Sequence, residues 1–169
     1  MEFKSLYQEL ENSTEIIRAL LSGITQAEAQ LKPSPDSWSI LEVVCHLCDE
    51  EREDFREHLD WILHRQRETW HLIDPQSWVL ERKYNEQNFV KTQENFFTER
   101  AKSMEWLTTL SQADWTTSHK SQYLSMSAGD MFGSWVAHDN LHIRQLVELR
   151  RARIERIVQP YETQYAGDW

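Results

Sequence analysis

The chain has 169 residues, enough for one domain with its own apolar core. Its 28 acidic and 18 basic residues give a formal charge of -10, with Lys and Arg scattered rather than clustered, which disfavours nucleic acid or an anionic membrane as partner and favours a small-molecule substrate or a protein. No segment approaches the roughly 20 apolar residues of a membrane span, and the charged N-terminus lacks the apolar core of a signal peptide, so a cytoplasmic protein is expected.

Glycine is absent between Gly23 and Gly129, and the prolines at 33, 35, 75 and 160 leave long uninterrupted segments, which favours helices over strands. Phe3, Leu6, Leu10, Ile17, Leu20 and Leu21 recur at helical spacing and predict a first helix that stops at Ser22-Gly23. Pro33 and Pro35 make the segment up to Ser37 a loop. Ser39, three residues ahead of Glu42, forms a capping-box pattern that starts a second helix, predicted to reach about Gln66 with Ile40, Val44, Leu47, Phe55, Leu59 and Ile62 as its apolar stripe. Within it, E50-E51-R52-E53-D54 reads as a solvated face with i, i+4 pairing. Residues 67–87 read as a long crossover interrupted by Asp74-Pro75.

A third helix is expected over about 88–110, with Phe89, Phe96, Met104, Leu107 and Leu110 inward, and 111–126 as loop with a short extended piece. Ser127 and Asp130 repeat the start signal for a fourth helix, predicted to end near Arg151. The expected fold is all-α: a four-helix bundle with a long crossover between helices two and three, in a single domain over 1–169. Residues 152–169 form a tail in which Pro160 limits helix and Trp169 is placed to dock on the body.

Two stretches carry chemistry. In W135-V136-A137-H138-D139-N140-L141-H142, His138 and His142 lie one turn apart, close enough for both imidazoles to reach one metal ion. At roughly 100° per residue they share the side of Met131, Trp135, Leu146 and Leu149, so the pair points inward. Buried side by side, two imidazoles compete for acceptors and resist protonation, which favours metal binding.

The other stretch is V43-V44-C45-H46-L47-C48-D49-E50. Its C-x-x-C lies well inside the helix, away from the N-terminal dipole that activates redox dithiols, and no second C-x-x-C exists to complete a zinc knuckle. Cys45 and Cys48 are therefore read as buried thiols. His46 falls beside Val43, Glu50, Asp54, Glu57 and Trp61, off the apolar stripe, which by rotation alone suits a surface histidine. If it instead joins His138 and His142, the three neutral ligands form an open, catalytic type of site, and Glu50 and Asp139 are the carboxylates placed to orient ligands or act as general base. His58, His64, His71 and His119 read as surface or crossover residues.

W38-S39-I40-L41-E42-V43-V44-C45-H46-L47-C48-D49-E50-E51, followed by W135 through L146, resembles the DinB superfamily of metalloenzymes, over almost the whole chain from the first helix to about Arg151. The resemblance implies a four-helix bundle holding a divalent metal ion, nickel or zinc, on His46, His138 and His142. It further implies a homodimer and metal-dependent activity on a small electrophile, either S-transfer with a low-molecular-weight thiol as cosubstrate or hydrolysis. The runner-up reading is a non-catalytic metal- or ligand-binding bundle, engaging partners through Trp61, Trp70 and Trp78.

Overall fold

Helix α1 spans Phe3–Leu21 in the computed structural model, which describes residues 2–68, 72–120 and 125–167. The loop that follows contains one short helix, α2 (Gln26–Ala29), started by a capping box between Thr25 and Glu28. Helix α3 (Ile40–Glu50) opens on the predicted box: Glu42 N–H donates to Ser39 Oγ at 3.1 Å, and Ser39 N–H donates to Glu42 Oε2 at 2.7 Å. Lys32 pairs with the other Glu42 oxygen at 2.8 Å, and Ser39 Oγ donates to Asn85 Oδ1 at 2.7 Å. One capping network therefore ties the proline loop and the crossover to the start of α3.

The second arm of the bundle is not one regular helix. After α3 comes a π-helical turn, Glu51–Phe55, and then α4 (Arg56–His64). The crossover holds α5 (Pro75–Glu81), with Asp74 as its N-cap and Pro75 in the first turn, so the dipeptide expected to interrupt structure starts a helix instead. Helix α6 spans Phe89–Thr108. Next, β1 (Ser118–Lys120) and β2 (Ser125–Ser127) pair antiparallel with Ser118 opposite Ser127. Helix α7 spans Ala128–Ile157, running past the predicted end at Arg151 to stop just ahead of Pro160. No helix among the described residues is long and apolar enough to cross a membrane.

The principal neighbours of α1 are α7 and α6, and the α3–α4 arm packs on the same two, so the first and second arms sit across the bundle from each other. Two apolar clusters fill the interior. One gathers Ile17, Val44, Leu47, Phe96 and Leu146; the other Leu10, Leu59, Leu107, Phe132 and Trp135. On each of the four arms a polar stretch separates the two: Ser13 on α1, Glu50 and Glu51 at the π turn, Arg100 and Ser103 on α6, and Asp139 and His142 on α7 are all buried. Between the two clusters lies a buried polar layer.

Several surface expectations change for one physical reason. With α6, α7 and the crossover elements all packed on it, α3 is enclosed on every side, and each residue from Ile40 to Cys48 is buried. His46, expected on the polar side, is only 5% exposed. Glu50 and Glu51, expected on a solvated face, are buried as well. His58 and His119 are buried, His64 is exposed, and His71 lies outside the described residues. Trp61 and Trp78 are buried and so build no docking surface; Trp70 and Trp169 also lie outside the described residues.

Candidate metal centre

His46 from the middle of α3, and His138 and His142 one turn apart on α7, meet in the polar layer. One ring nitrogen of each lies within 4.8 Å of the other two. Nε2 of His138 and Nε2 of His142 are 3.1 Å apart. Two nitrogens bound tetrahedrally to zinc at their usual bond length sit about 3.3 Å from each other, so this spacing already matches a shared ion.

The protonation states also suit a cation. Burial is the main force on all three imidazoles: it pushes His46 down to about 3 and His138 down to about 2, with the neighbouring histidines adding to both, and it lowers His142. All three are therefore neutral at pH 7, with lone pairs available as ligands. His142 donates from Nδ1 to Gln145 Oε1 at 2.8 Å, which leaves Nε2 as its lone-pair nitrogen. Nδ1 of His46 is buried and has no hydrogen-bond partner among the described residues.

Glu50 reaches both sides of the cluster, with Oε1 3.6 Å from His46 Nε2 and Oε2 3.2 Å from His138 Nε2. Burial, and then the charge of Asp54, push its carboxyl up to about 8. In the metal-free protein at pH 7 the Glu50–His138 contact thus joins two neutral groups. The surroundings hold an excess of negative charge, because the nearby buried Arg100 is shared by two carboxylates, Glu51 at 2.8 Å and Asp139 at 2.6 Å. Neutral nitrogens, a carboxylate at their edge and surplus negative charge fit a divalent cation.

Asp139 takes a different place from the one expected. Its two oxygens accept from the two terminal nitrogens of Arg100 at 2.6 and 2.8 Å, so the carboxylate turns away from the histidines toward α6. The thiols stay out of the cluster as expected: Cys45 donates to the Tyr84 carbonyl at 3.7 Å, and burial pushes both cysteines up to about 12, which keeps them protonated. Both thiols line a small cavity of about 240 Å³ on the side of α3 facing Arg82 and Tyr84.

Trp38, immediately before the α3 cap, walls the site. Its ring meets His46 edge-on at 4.9 Å and lies parallel to His142 at 6.3 Å. Beside it opens a groove of about 650 Å³ lined by Trp38, Gln76, His142, Gln145 and Leu149, with Asp36, Arg144 and Glu148 also along it. Of the three histidines only His142 lines this groove. On the far side the Phe55 ring packs against His138 at 4.9 Å and borders a second cavity of about 270 Å³.

Sequence reasoning overlooked Gln145, Arg100 and Trp38. Gln145 follows His142 by three residues on the same helix face, a spacing that marks it as a partner. Arg100 sits on the inward stripe of the third helix, four residues after Phe96 and seven before Leu107, where a cation calls for a buried partner.

Among curated proteins, none matches the chain. Among solved structures, YfiT from Bacillus subtilis superposes with a TM-score of 0.76 at 16% identity, covering 88% of this chain and 86% of that one. That protein is described as a probable metal-dependent hydrolase with an unusual four-helix bundle topology; at this identity the likeness establishes the shared fold. Residues 9–146 match the DinB superfamily, a span that takes in the α3 cap, all three histidines and the Arg100 network, and the chain belongs to that superfamily.

Proposed function

We propose that the protein is a divalent-metal-dependent hydrolase acting on a small electrophilic substrate held in the groove beside Trp38 and His142. The observation that carries this reading is the convergence of three neutral imidazole nitrogens within 4.8 Å, with the Glu50 carboxyl 3.2 Å from one of them. A divalent ion on His46, His138 and His142 would supply a Lewis acid that acidifies water and polarises a substrate oxygen. Imidazole nitrogens suit both zinc and nickel, so geometry and availability select between them.

The chain's own residues perform the remaining work. Glu50 is the proton acceptor: it is buried at the edge of the cluster and, among the described residues, pairs with no Lys or Arg, only with the neutral His46 and His138. Gln145 holds the His142 ring in one orientation, and Trp38 shields the cluster from bulk water while forming one wall of the groove. Asp139, saturated by Arg100, takes no proton. The description of YfiT as a probable metal-dependent hydrolase agrees with this assignment.

A second reading, S-transfer, is favoured by the size of the groove, which with about 650 Å³ has room for a peptide-like thiol cosubstrate along Gln76, Arg144 and Gln145. Untagged protein loaded with zinc or nickel, presented with ester, amide and lactone substrates and with paired low-molecular-weight thiols and electrophiles, separates the two. We expect metal-dependent hydrolysis that His138→Ala removes. Turnover only with thiol present selects transfer, and no turnover across the panel selects a binding protein.

A further inference from the structure

Arg100 joins all four arms of the bundle at the level of the site. It projects from α6 and is 1% exposed. Nε donates to Glu51 Oε1 at 2.9 Å, and the two terminal nitrogens clasp Asp139 on α7. Nη1 also reaches Thr14 Oγ1 at 3.2 Å and the Leu10 carbonyl at 3.4 Å on α1. The second Glu51 oxygen accepts from Trp135 Nε1 at 3.1 Å, so the π turn is tied to α7 from two sides.

Glu51 and Asp139 each follow by one residue a group that faces the histidine cluster, Glu50 and His138. Two rungs therefore connect the same pair of backbones: Glu50 against His138, and one residue along, Glu51 through Arg100 to Asp139. Consecutive residues on a helix are about 100° apart, so fixing the second rung fixes the rotation at which the first is made. With side chains reaching about 5–6 Å from a helix axis, a 10° rotation moves a ligand atom by about 1 Å. Metal–ligand distances tolerate only about 0.2 Å. Stability alone does not require a charged triad here, since well-packed apolar replacements of buried ion networks are often neutral or stabilising. The π turn places Glu50 and Glu51 side by side in the interior, and such turns recur at functional sites.

We propose that Arg100 is a positioning residue for the metal centre: clamped between Glu51 and Asp139, it sets the rotation of α3 and α7 at which His46, Glu50, His138 and His142 converge. The proposal rests on the metal-binding reading above and says how this chain preorganises that site. The test uses the full chain, with zinc affinity measured by competition against a chromogenic chelator and the absorption spectrum of the Co²⁺-loaded protein as reporter of ligand geometry. Arg100→Lys keeps the charge and loses the fork; the triple variant Glu51→Met/Arg100→Met/Asp139→Leu removes every charge of the network and remains informative where the lysine variant does not fold. In folded variants we expect zinc affinity to fall by about 10–100-fold and the Co²⁺ bands to shift. Unchanged affinity and an unchanged spectrum in a folded variant would overturn the positioning role while leaving the metal site standing. Absence of zinc binding in the unsubstituted protein would instead overturn the metal reading, and the positioning role with it.

Discussion

Glu50→Gln is expected to lower the turnover number of the metal-loaded protein by about 10²- to 10⁴-fold, the range typical for loss of a general base, on whichever hydrolytic substrate the panel identifies. Glu50 ends α3 at the start of the π turn, where the backbone turns its carboxyl into the histidine cluster instead of toward solvent, 3.2 Å from His138 and 3.6 Å from His46. Glutamine keeps the size and one acceptor oxygen but takes up no proton. Burial holds the carboxyl near 8 without a cation, and a divalent ion nearby favours its charged form, so the base is prepared as metal is loaded. Steady-state kinetics together with metal content check this. Retained zinc with retained turnover would remove Glu50 from the chemistry, whereas lost zinc would make it a ligand.

Arg100→Ala is expected to destabilise the metal-free fold by about 3–5 kcal/mol, the cost of stranding buried partners of an ion network. Glu51 and Asp139 are each about 1% exposed, and without the guanidinium two carboxylates face one another across a new void. Set against a typical total stability of about 5–15 kcal/mol, the loss is large. Urea unfolding of the metal-free protein measures the loss, and a deficit below about 1 kcal/mol would show that the network contributes little to the fold.

The inward pair on the fourth helix was legible from spacing, because α7 exposes one side and His138 and His142 fall with its apolar residues. His46 was not, because a helix buried on every side carries no polar face from which to read direction, and its neighbours Val43, Cys45 and Cys48 are as buried as the stripe residues. Glu50 and Glu51 were hidden inside a run of charges of which Arg52 and Glu53 do make a partly exposed pairing with Asp49 and Arg82, while Asp54 pairs with His58. Asp139 was recognised as inward, yet its partner sits on another helix, and no local pattern states which helix face will meet it. The short helix α2 lies in a segment read as loop, although Thr25-Gln26-Ala27-Glu28 carries the same capping signal that located α3. The real stop of α7 is the turn ahead of Pro160, since the charged run from Glu148 to Arg156 contains no breaker.

His46, His138 and His142 are expected to hold one divalent ion between them. Elemental analysis of protein purified without a histidine tag, alongside His46→Ala, His138→Ala and His142→Ala, tests it most directly. The account predicts about one equivalent of zinc or nickel per chain in the unsubstituted protein and its loss from each variant. Substoichiometric metal, left unchanged by all three substitutions, would contradict it.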